Sequence, residues 1–184
     1  MIEHIITGMV LHRPLTGYDI KKEIAIGIGH FYQSSNGNLY PSLKKLTDSG
    51  HLVLTEQTQV ARLKKYYMAT EAGKAAFFAW LTAPFEIGWK APTILSKVYF
   101  FGELPPDVRR QKLQEYEMYM QKMIDGYREM ERTNLAEFID NGNIVDYYGV
   151  STLYYGLQNV SGMLRWLRHI EAEKPLGVFM EDDM

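Results

Sequence analysis

The chain has 184 residues, of which 46% are hydrophobic and 13% aromatic, which is enough for one or two packed domains and too much for a disordered chain. It contains no cysteine, which excludes disulfides, thiolate nucleophiles and cysteine zinc sites. There is no run of about 18 apolar residues, and the N-terminus, with Glu3 and His4, lacks the basic start of a secretory leader. We therefore expect a cytoplasmic protein with no membrane partner.

The formal net charge of -2 conceals an uneven distribution along the chain. Residues 1–82 carry nine Lys or Arg and six Asp or Glu, a formal charge of +3, whereas the remaining residues carry -5. This excess of cations is modest. The local placement of the cations therefore says more about a nucleic-acid partner than the overall field does.

Two helices are predicted at the start of the chain. The first spans residues 1–12, is ended by Pro14, and has apolar residues at helical spacing: Ile2, Ile5, Ile6, Met9 and Val10. Thr16 is suited to cap the second helix, which closes at the glycines 27 and 29. Its inward face is formed by Ile20, Ile24 and Ile28.

A third helix, from residue 38 to residue 49, is the element around which the chain is organised. Leu39, Leu43 and Leu46 are spaced by four and three residues, which gives the helix one apolar face. The opposite face is polar and basic. It carries Asn38, Ser42, Lys44 and Lys45.

The ends of this third helix are marked by residues with known capping preferences. Asn38 is a good N-cap, which places Pro41 in the first turn, where its missing N–H costs no helical bond. Gly50 follows the last turn in the position where a left-handed glycine commonly ends a helix. We therefore expect a helix of about three turns.

Two strand-like runs, at residues 51–57 and 64–69, flank a mainly polar segment at residues 58–63. Such a β-ribbon suits a phosphate backbone or a minor groove when it carries cations, which here are Arg62, Lys64 and Lys65. A solvated surface hairpin is the alternative for the ribbon taken alone. The order helix, helix, linker, helix, β-ribbon is that of a winged helix-turn-helix.

Contacts to DNA can be divided between the third helix and the ribbon. Asn38 and Ser42 are the candidates for base edges. The candidates for phosphates are the cations Lys44, Lys45, Arg62, Lys64 and Lys65.

A fourth helix is predicted from Thr70, its expected cap, to Pro84, with an apolar surface formed by Phe77, Phe78, Trp80 and Leu81. The composition then turns to Pro, Gly and small residues. We place the domain boundary here, with a winged helix-turn-helix in residues 1–83 and a helical dimerisation domain in residues 84–184.

The second half of the chain is predicted to be helical. A short helix starts at Pro92 and ends before Gly102, and Asp107 then caps a long helix. Two heptad seams flank residues 141–143 and predict an antiparallel helical pair. The seams consist of Leu113, Tyr116, Met120, Met123, Tyr127 and Met130, and of Val150, Leu153, Leu157, Val160, Leu164 and Leu167.

The two seamed helices carry more apolar surface than one hairpin can bury, because further apolar residues lie outside the seams: Tyr119, Ile124, Tyr148, Tyr154 and Trp166. Exposing this surface would forfeit burial energy, so we expect a symmetric homodimer. The alternative is that these aromatics pack on the winged domain. The predicted dimerisation residues are the seam positions from Leu113 to Tyr127 and from Val150 to Leu164.

Three motifs occur in order: Thr16-Gly17-Tyr18-Asp19-Ile20, then Leu39-Tyr40-Pro41-Ser42-Leu43 with Leu46 and Gly50, then Lys65-Tyr66-Tyr67 with Thr70-Glu71-Ala72-Gly73. Together they resemble the PadR family of transcriptional regulators. The long helical second half is similar to that of the larger PadR subgroup, in which it mediates dimerisation. The resemblance implies a dimeric winged-helix protein that binds double-stranded DNA at a pseudo-palindromic operator, most often as a repressor and in some members as an activator.

The resemblance also implies roles for individual residues. Tyr40 would hydrogen-bond the DNA backbone, Tyr18 would support the second helix against a phosphate, and Lys64 or Lys65 would engage the backbone from the ribbon. The alternative for Tyr18 and Tyr66 is that of core aromatics with a solvated hydroxyl. Residues 57–63 are less basic than many wings of this family, which argues against strong minor-groove insertion.

Some PadR proteins lose DNA affinity when they bind phenolic acids or planar drugs, so the resemblance implies a small aromatic effector. Aromatic residues with one cation near the expected domain junction could clamp a planar anion. The candidates are Trp80, Trp89, Tyr99, Arg128 and Trp166. The same residues could instead form core or dimer interface.

Two other classes of function are alternatives to a regulator. The five histidines show no metal-ligand spacing, and the chain has neither a phosphate-binding glycine loop nor a nucleophile elbow, so we expect no enzyme, cofactor or metal. The remaining alternative is a dimeric helical scaffold whose degenerate winged helix makes protein contacts. A scaffold of this kind would fail to bind DNA at any salt concentration.

Overall fold

The fold is that of a computed structural model, which describes residues 1–32, 36–59, 62–84, 91–139 and 144–177. Its elements in chain order are α1 (Ile2–Met9), β1 (Leu15–Thr16), α2 (Gly17–Gly27), α3 (Asn36–Asp48), β2 (Leu52–Gln59), β3 (Arg62–Ala69), α4 (Glu71–Thr82), α5 (Ala91–Tyr99), a 3₁₀ turn (Phe101–Glu103), α6 (Pro106–Ile139) and α7 (Ile144–Glu171). The expected class, mainly helical with a small β-element, is confirmed. The chain forms two compact units, Met1–Leu104 and Pro105–Met184.

The first unit contains a third strand that was not predicted. Helix α1 ends at Met9 rather than at His12, and the carbonyl of Val10 accepts a hydrogen bond of 3.1 Å from the N–H of Ala69. Strand β1 then pairs antiparallel with β3, giving the sheet order β1-β3-β2. A strand of two residues carries no periodicity of its own, and its partner lies far along the chain.

Both predicted threonine caps are confirmed. The hydroxyl of Thr16 accepts a hydrogen bond of 3.2 Å from the N–H of Asp19, and the Asp19 carboxylate accepts from the N–H of Thr16, which completes a capping box. The hydroxyl of Thr70 accepts from the N–H of Gly73 at 3.1 Å, so α4 begins as expected.

Helix α3 begins two residues earlier than predicted. It starts at Asn36, so Asn38 lies in its first turn and is not the N-cap, and Pro41 is inside the helix. Pro41 lies past the first four residues, whose N–H groups have no helical partner, so it removes one helical bond, to the carbonyl of Gly37. The expectation that its missing N–H costs no helical bond is therefore wrong, although the helix extends past it to Asp48.

The end of α3 is fixed to the start of the ribbon. The N–H of His51 donates to the carbonyl of Leu46 at 2.9 Å and that of Gly50 to the carbonyl of Thr47 at 3.0 Å, with Gly50 at φ 72°. This is a Schellman motif, in which glycine adopts the left-handed conformation at least cost. The Thr70 hydroxyl donates to the carbonyl of Gly50 at 2.7 Å, which joins this corner to α4.

The end of α5 and the 3₁₀ turn belong to the first compact unit because aromatic rings pack on α1. An added Cβ at Gly8 would lie 2.6 Å from the ring of Phe100 and 2.9 Å from that of Phe77. These two rings meet edge to face with centroids 5.3 Å apart. The boundary expected between residues 83 and 84 therefore falls inside the first compact unit, and the division observed is at Leu104.

The second unit is the predicted antiparallel helical pair. Side-chain hydrogen bonds join Gln114 to Glu171 at 2.9 Å, Arg168 to Glu117 at 3.2 Å and Tyr154 to Glu131 at 2.9 Å. From one pair to the next, the residue number on α6 rises by the same amount as the residue number on α7 falls. The register of the antiparallel pair is therefore constant. Helix α6 begins at Pro106, which puts Asp107 in the first turn rather than at the cap.

Four of the predicted dimerisation residues are buried within this single chain. Each is at most 5% exposed: Leu113, Tyr116, Met120 and Leu164. They lie between α6 and α7, so their burial requires no second copy. The other six are half-buried: Met123, Tyr127, Val150, Leu153, Leu157 and Val160.

We expect Gly73→Ala to destabilise the first unit, because the new methyl carbon would lie 2.0 Å from the carbonyl oxygen of His51. Either α4 or the start of β2 must then shift, at a cost of about 2 kcal/mol. Chemical denaturation followed by circular dichroism measures this loss. Gly102→Ala is the matched control, since no heavy atom lies within 4 Å of its added Cβ. Equal stability of the two variants would contradict the assignment.

Candidate nucleic-acid interface

Helix α3 buries one face and exposes the other as predicted, with one exception. Leu39, Leu43 and Leu46 are at most 6% exposed, whereas Asn38, Tyr40, Lys44 and Lys45 are exposed. Ser42 is only 9% exposed, which leaves little of its side chain open to a base edge. Three residues after Leu39 the helix has turned almost a full circle, which places position 42 at the rim of the apolar stripe.

Both lysines on α3 have a carboxylate partner. The ammonium of Lys44 lies 2.5 Å from Asp48 on the same helix, and that of Lys45 lies 2.7 Å from Glu3 on α1. The hydrogen bond from Lys45 lowers the pKa of Glu3 below its usual value, which keeps the carboxylate ionised. Both lysine side chains are at least 70% exposed, so they lie in reach of an external anion.

The ribbon is longer and more regular than predicted. Residue pairs run from Leu52 opposite Ala69 to Gln59 opposite Arg62, so the polar tip expected at residues 58–63 is largely strand. The backbone of Arg62 is part of this ladder, whereas its side chain lies outside the described part of the chain. Residues 60 and 61 also lie outside it.

The two ribbon lysines lie on opposite faces because successive side chains of a strand alternate. Lys65 is directly across from Glu56, with its ammonium 3.6 Å from the carboxylate, on the face that carries buried Leu52. Lys64 is across from Gln57 on the other face and is exposed. A phosphate that approaches one face of the ribbon therefore reaches one of these lysines and not the other.

Two tyrosines are exposed beside the start of α2. Tyr18 is 72% exposed and Tyr40 is 51% exposed, so neither is a core residue. The ring of Tyr40 lies 3.1 Å from the position of an added Cβ at Gly17, which places it against the first residue of α2. Tyr66, the other tyrosine for which a core position is the alternative, is half-buried.

The predicted ligand residues are divided between the two units. Trp80 and Tyr99 belong to the first, and exposed Arg128 and half-buried Trp166 belong to the second. Trp89 lies outside the described residues. Tyr99 is 46% exposed, with its hydroxyl near Gly27.

Sequence reasoning missed two neighbours of Trp80. The ring of His4 stacks on the indole with centroids 4.8 Å apart and planes 4° apart, and the ammonium of Lys97 lies 5.4 Å from the centroid of a Trp80 ring. Lys97 is fully buried. Ile94 lies one turn before Lys97 on α5 and is also buried, so the spacing of the two residues was the sequence signal that Lys97 faces inward. The signal is weak because lysines seldom face a core.

The described parts of the chain contain neither a metal-binding cluster nor a membrane-spanning helix. Within them no three His, Asp or Glu side chains lie close enough together to hold a metal ion. None of the helices seen there is both long and apolar enough to cross a membrane.

Comparison with known proteins gives two consecutive family matches. Residues 6–79 match the transcriptional regulator PadR-like family, and residues 93–173 match the virulence activator alpha C-terminal family. The winged-helix segment of the chain thus belongs to the PadR-like family of transcriptional regulators, and a virulence activator alpha C-terminal domain follows it. The family matched by this first segment is one of transcriptional regulators, not of enzymes.

Individual relatives are similar over different lengths. The negative transcriptional regulator PadR of Bacillus subtilis is 34% identical over 82 residues, which are 44% of this chain and 45% of that relative, so the match spans less than half of its length. The crystal structure of Bacillus subtilis PadR in complex with operator DNA is 23% identical, with 94% of this chain and 98% of that chain covered and a TM-score of 0.44. The Vibrio cholerae virulence activator AphA is also 23% identical, with 94% and 97% covered and a TM-score of 0.41.

We expect the first unit to lose stability as the pH falls from about 6.5 to about 4, in part because of His4. Burial, followed by the charge of the N-terminus, lowers the His4 pKa from its usual 6.5 to about 4. Between these values the unfolded chain binds a proton at His4 and the folded chain does not, so acid favours unfolding. Urea denaturation at pH 7 and pH 5 measures the difference.

His4→Phe should keep the stack on Trp80 and reduce this pH dependence, because phenylalanine cannot be protonated. His30→Gln removes an exposed histidine from the same unit and should leave the dependence in place. If the free energy of unfolding of His4→Phe falls between pH 7 and pH 5 as much as that of the wild type, groups other than His4 cause the loss.

Proposed function

We propose that the chain is a cytoplasmic transcriptional repressor that binds a pseudo-palindromic operator as a homodimer. Each protomer inserts α3 into a major groove, and the two half-sites lie about one turn, roughly 34–36 Å, apart. The observation that carries the proposal is the exposed face of α3, where Tyr40 and two lysines stand opposite a buried leucine stripe. The name of the Bacillus subtilis relative, a negative transcriptional regulator, supports repression rather than activation as the direction of regulation.

The proposed contacts follow the exposed side chains. Asn38 reads base edges from the first turn of α3, and Tyr18 and Tyr40 hydrogen-bond the DNA backbone beside the start of α2. The phosphates are held by Lys44 and Lys45 of α3 and by the ribbon cations Arg62, Lys64 and Lys65. In this proposal the first compact unit binds DNA and the second forms the dimer.

Dimerisation is supported by an apolar surface that the single chain leaves exposed. Four tyrosines of α7 are spaced by seven residues in two pairs, so they share one helix face, and each is at least 44% exposed: Tyr147, Tyr148, Tyr154 and Tyr155. We call this face the tyrosine stripe. Large exposed aromatic surface of this kind marks a protein interface more often than a solvated one.

A small aromatic effector is the second element of the proposal. It is supported by the contacts of Trp80, whose indole stacks on His4 and lies near the buried ammonium of Lys97. A planar ligand with a carboxylate or phenolate would complement such a group of rings and charge. Its binding would release DNA if it favoured a dimer with a different spacing of the two reading heads.

We expect Lys44→Ala with Lys65→Ala to weaken binding to the preferred duplex and to make log Kd less dependent on log salt. Each lost phosphate contact lowers that slope by about 0.9, so the double variant should lose about two units. The measurement is fluorescence anisotropy with a duplex enriched by the protein from a random-sequence pool. A scrambled copy of this duplex serves as the reference.

The matched control is Lys122→Ala with Lys174→Ala, which removes two exposed lysines from the second unit. It changes the net charge equally and should leave the slope near that of the wild type. Unchanged affinity and slope in the Lys44 and Lys65 variant would refute these contacts. Failure of the wild type to enrich or bind any duplex, even at low salt, would favour the protein scaffold instead.

Tyr148→Ser with Tyr155→Ser should shift the protein from dimer towards monomer, because it removes two large rings from the tyrosine stripe. We expect the dimer Kd to rise at least tenfold, in line with hot-spot aromatics. Sedimentation equilibrium measures the change. Tyr18→Ser removes an equally exposed ring from α2 and should leave the dimer intact. An unaltered dimer in the double variant would place the interface elsewhere.

A further inference from the structure

Three lysines of the proposed reading surface have carboxylate partners that come from three different elements. Lys44 pairs with Asp48 of α3 at 2.5 Å, Lys45 with Glu3 of α1 at 2.7 Å, and Lys65 with Glu56 of β2 at 3.6 Å. Each carboxylate binds an ammonium that, in the proposed function, a DNA phosphate would also bind. We refer to these as the three lysine–carboxylate pairs.

The fold itself gains little from these pairs. All six side chains are at least 34% exposed, and exposed ion pairs contribute from 0 to about 1 kcal/mol. Asp48 is also in the last turn of α3, where the helix dipole disfavours a negative charge. Stability therefore does not account for a carboxylate at this position.

We propose that the carboxylates of the three lysine–carboxylate pairs, and Asp48 above all, determine specificity by competing with DNA phosphates for the reading-surface lysines. The inference rests on the proposed DNA-binding function. In a loosely aligned complex on arbitrary sequence, phosphates do not come within contact distance, and each lysine stays with its carboxylate. In the closely docked complex on the operator, phosphates displace the carboxylates and the lysines contribute in full.

The consequence is a selective loss of non-specific affinity. Non-specific binding derives almost wholly from phosphate contacts, so a lysine that remains paired contributes nothing to it. Specific binding adds base contacts that hold the surface close enough for the exchange. The ratio of specific to non-specific affinity is therefore larger than the lysines alone would give.

Asp48→Asn tests this directly, since asparagine keeps the size of the side chain and cannot hold Lys44 by charge. We expect binding to the scrambled duplex to tighten about three- to fivefold, the equivalent of up to about 1 kcal/mol. Its salt slope should steepen by about 0.9, for one added phosphate contact. Binding to the enriched duplex should change less than twofold, so the specificity ratio falls.

Two further variants separate the exchange from a general effect of charge. Glu129→Gln removes a carboxylate that pairs with Arg132 on α6, in the other unit, and should leave both affinities unchanged. In a Lys44→Ala background, Asp48→Asn should have no effect, because the lysine that it releases is absent. Thermal melting establishes that each variant is folded.

The outcomes distinguish this inference from the function on which it rests. A wild type that prefers the enriched duplex, with Asp48→Asn equal to Glu129→Gln on scrambled DNA, would overturn the inference alone. A gain that persists without Lys44 would also overturn it. A wild type with no affinity for any duplex would overturn the proposed function and the inference together.

Discussion

The burial of Leu39, Leu43 and Leu46 against α1 and α2 is the constraint on which the rest of the first unit depends. In a helix each residue is rotated by about 100° from the last, so fixing one apolar stripe fixes the direction of every other side chain. Rotation by a single position would bring leucines into water, at a cost of several kcal/mol. The exposed row of Tyr40, Lys44 and Asp48 is therefore set by the core and needs no ligand to form.

The core also fixes the ribbon relative to α3. Gly50 reverses the chain after the helix, and the hydroxyl of Thr70 bonds to the carbonyl of Gly50 at 2.7 Å while capping α4. Gly73 allows the backbone of His51 to approach closely at the same corner. A few hydrogen bonds and two closely packed glycines therefore join α3, the ribbon and α4 at one corner. In the proposed function this lowers the entropy lost on binding.

Sequence reasoning located every helix of the described chain, because strong periodicity and caps such as Thr16, Thr70 and Gly50 act locally. It failed where the cause is a distant contact. Strand β1 exists through its pairing with Tyr66 and Tyr67, and Phe100, the residue after α5, packs on Gly8 of the first unit. The candidate site shows the same division: the face of Lys45 was predictable, whereas its partner Glu3, 42 residues away, was not.

The three lysine–carboxylate pairs also bear on why a reading head of this kind would be used in pairs. Residues 1–82 carry a formal charge of only +3, and part of that charge is neutralised at the reading surface itself. One head would thus bind arbitrary DNA weakly. Joining two heads turns the second contact into an intramolecular event, which multiplies affinity only where both half-sites have the right spacing. In the proposed function, low affinity of the single head and dimerisation through the tyrosine stripe are therefore complementary, since neither alone would select an operator by the spacing of its half-sites.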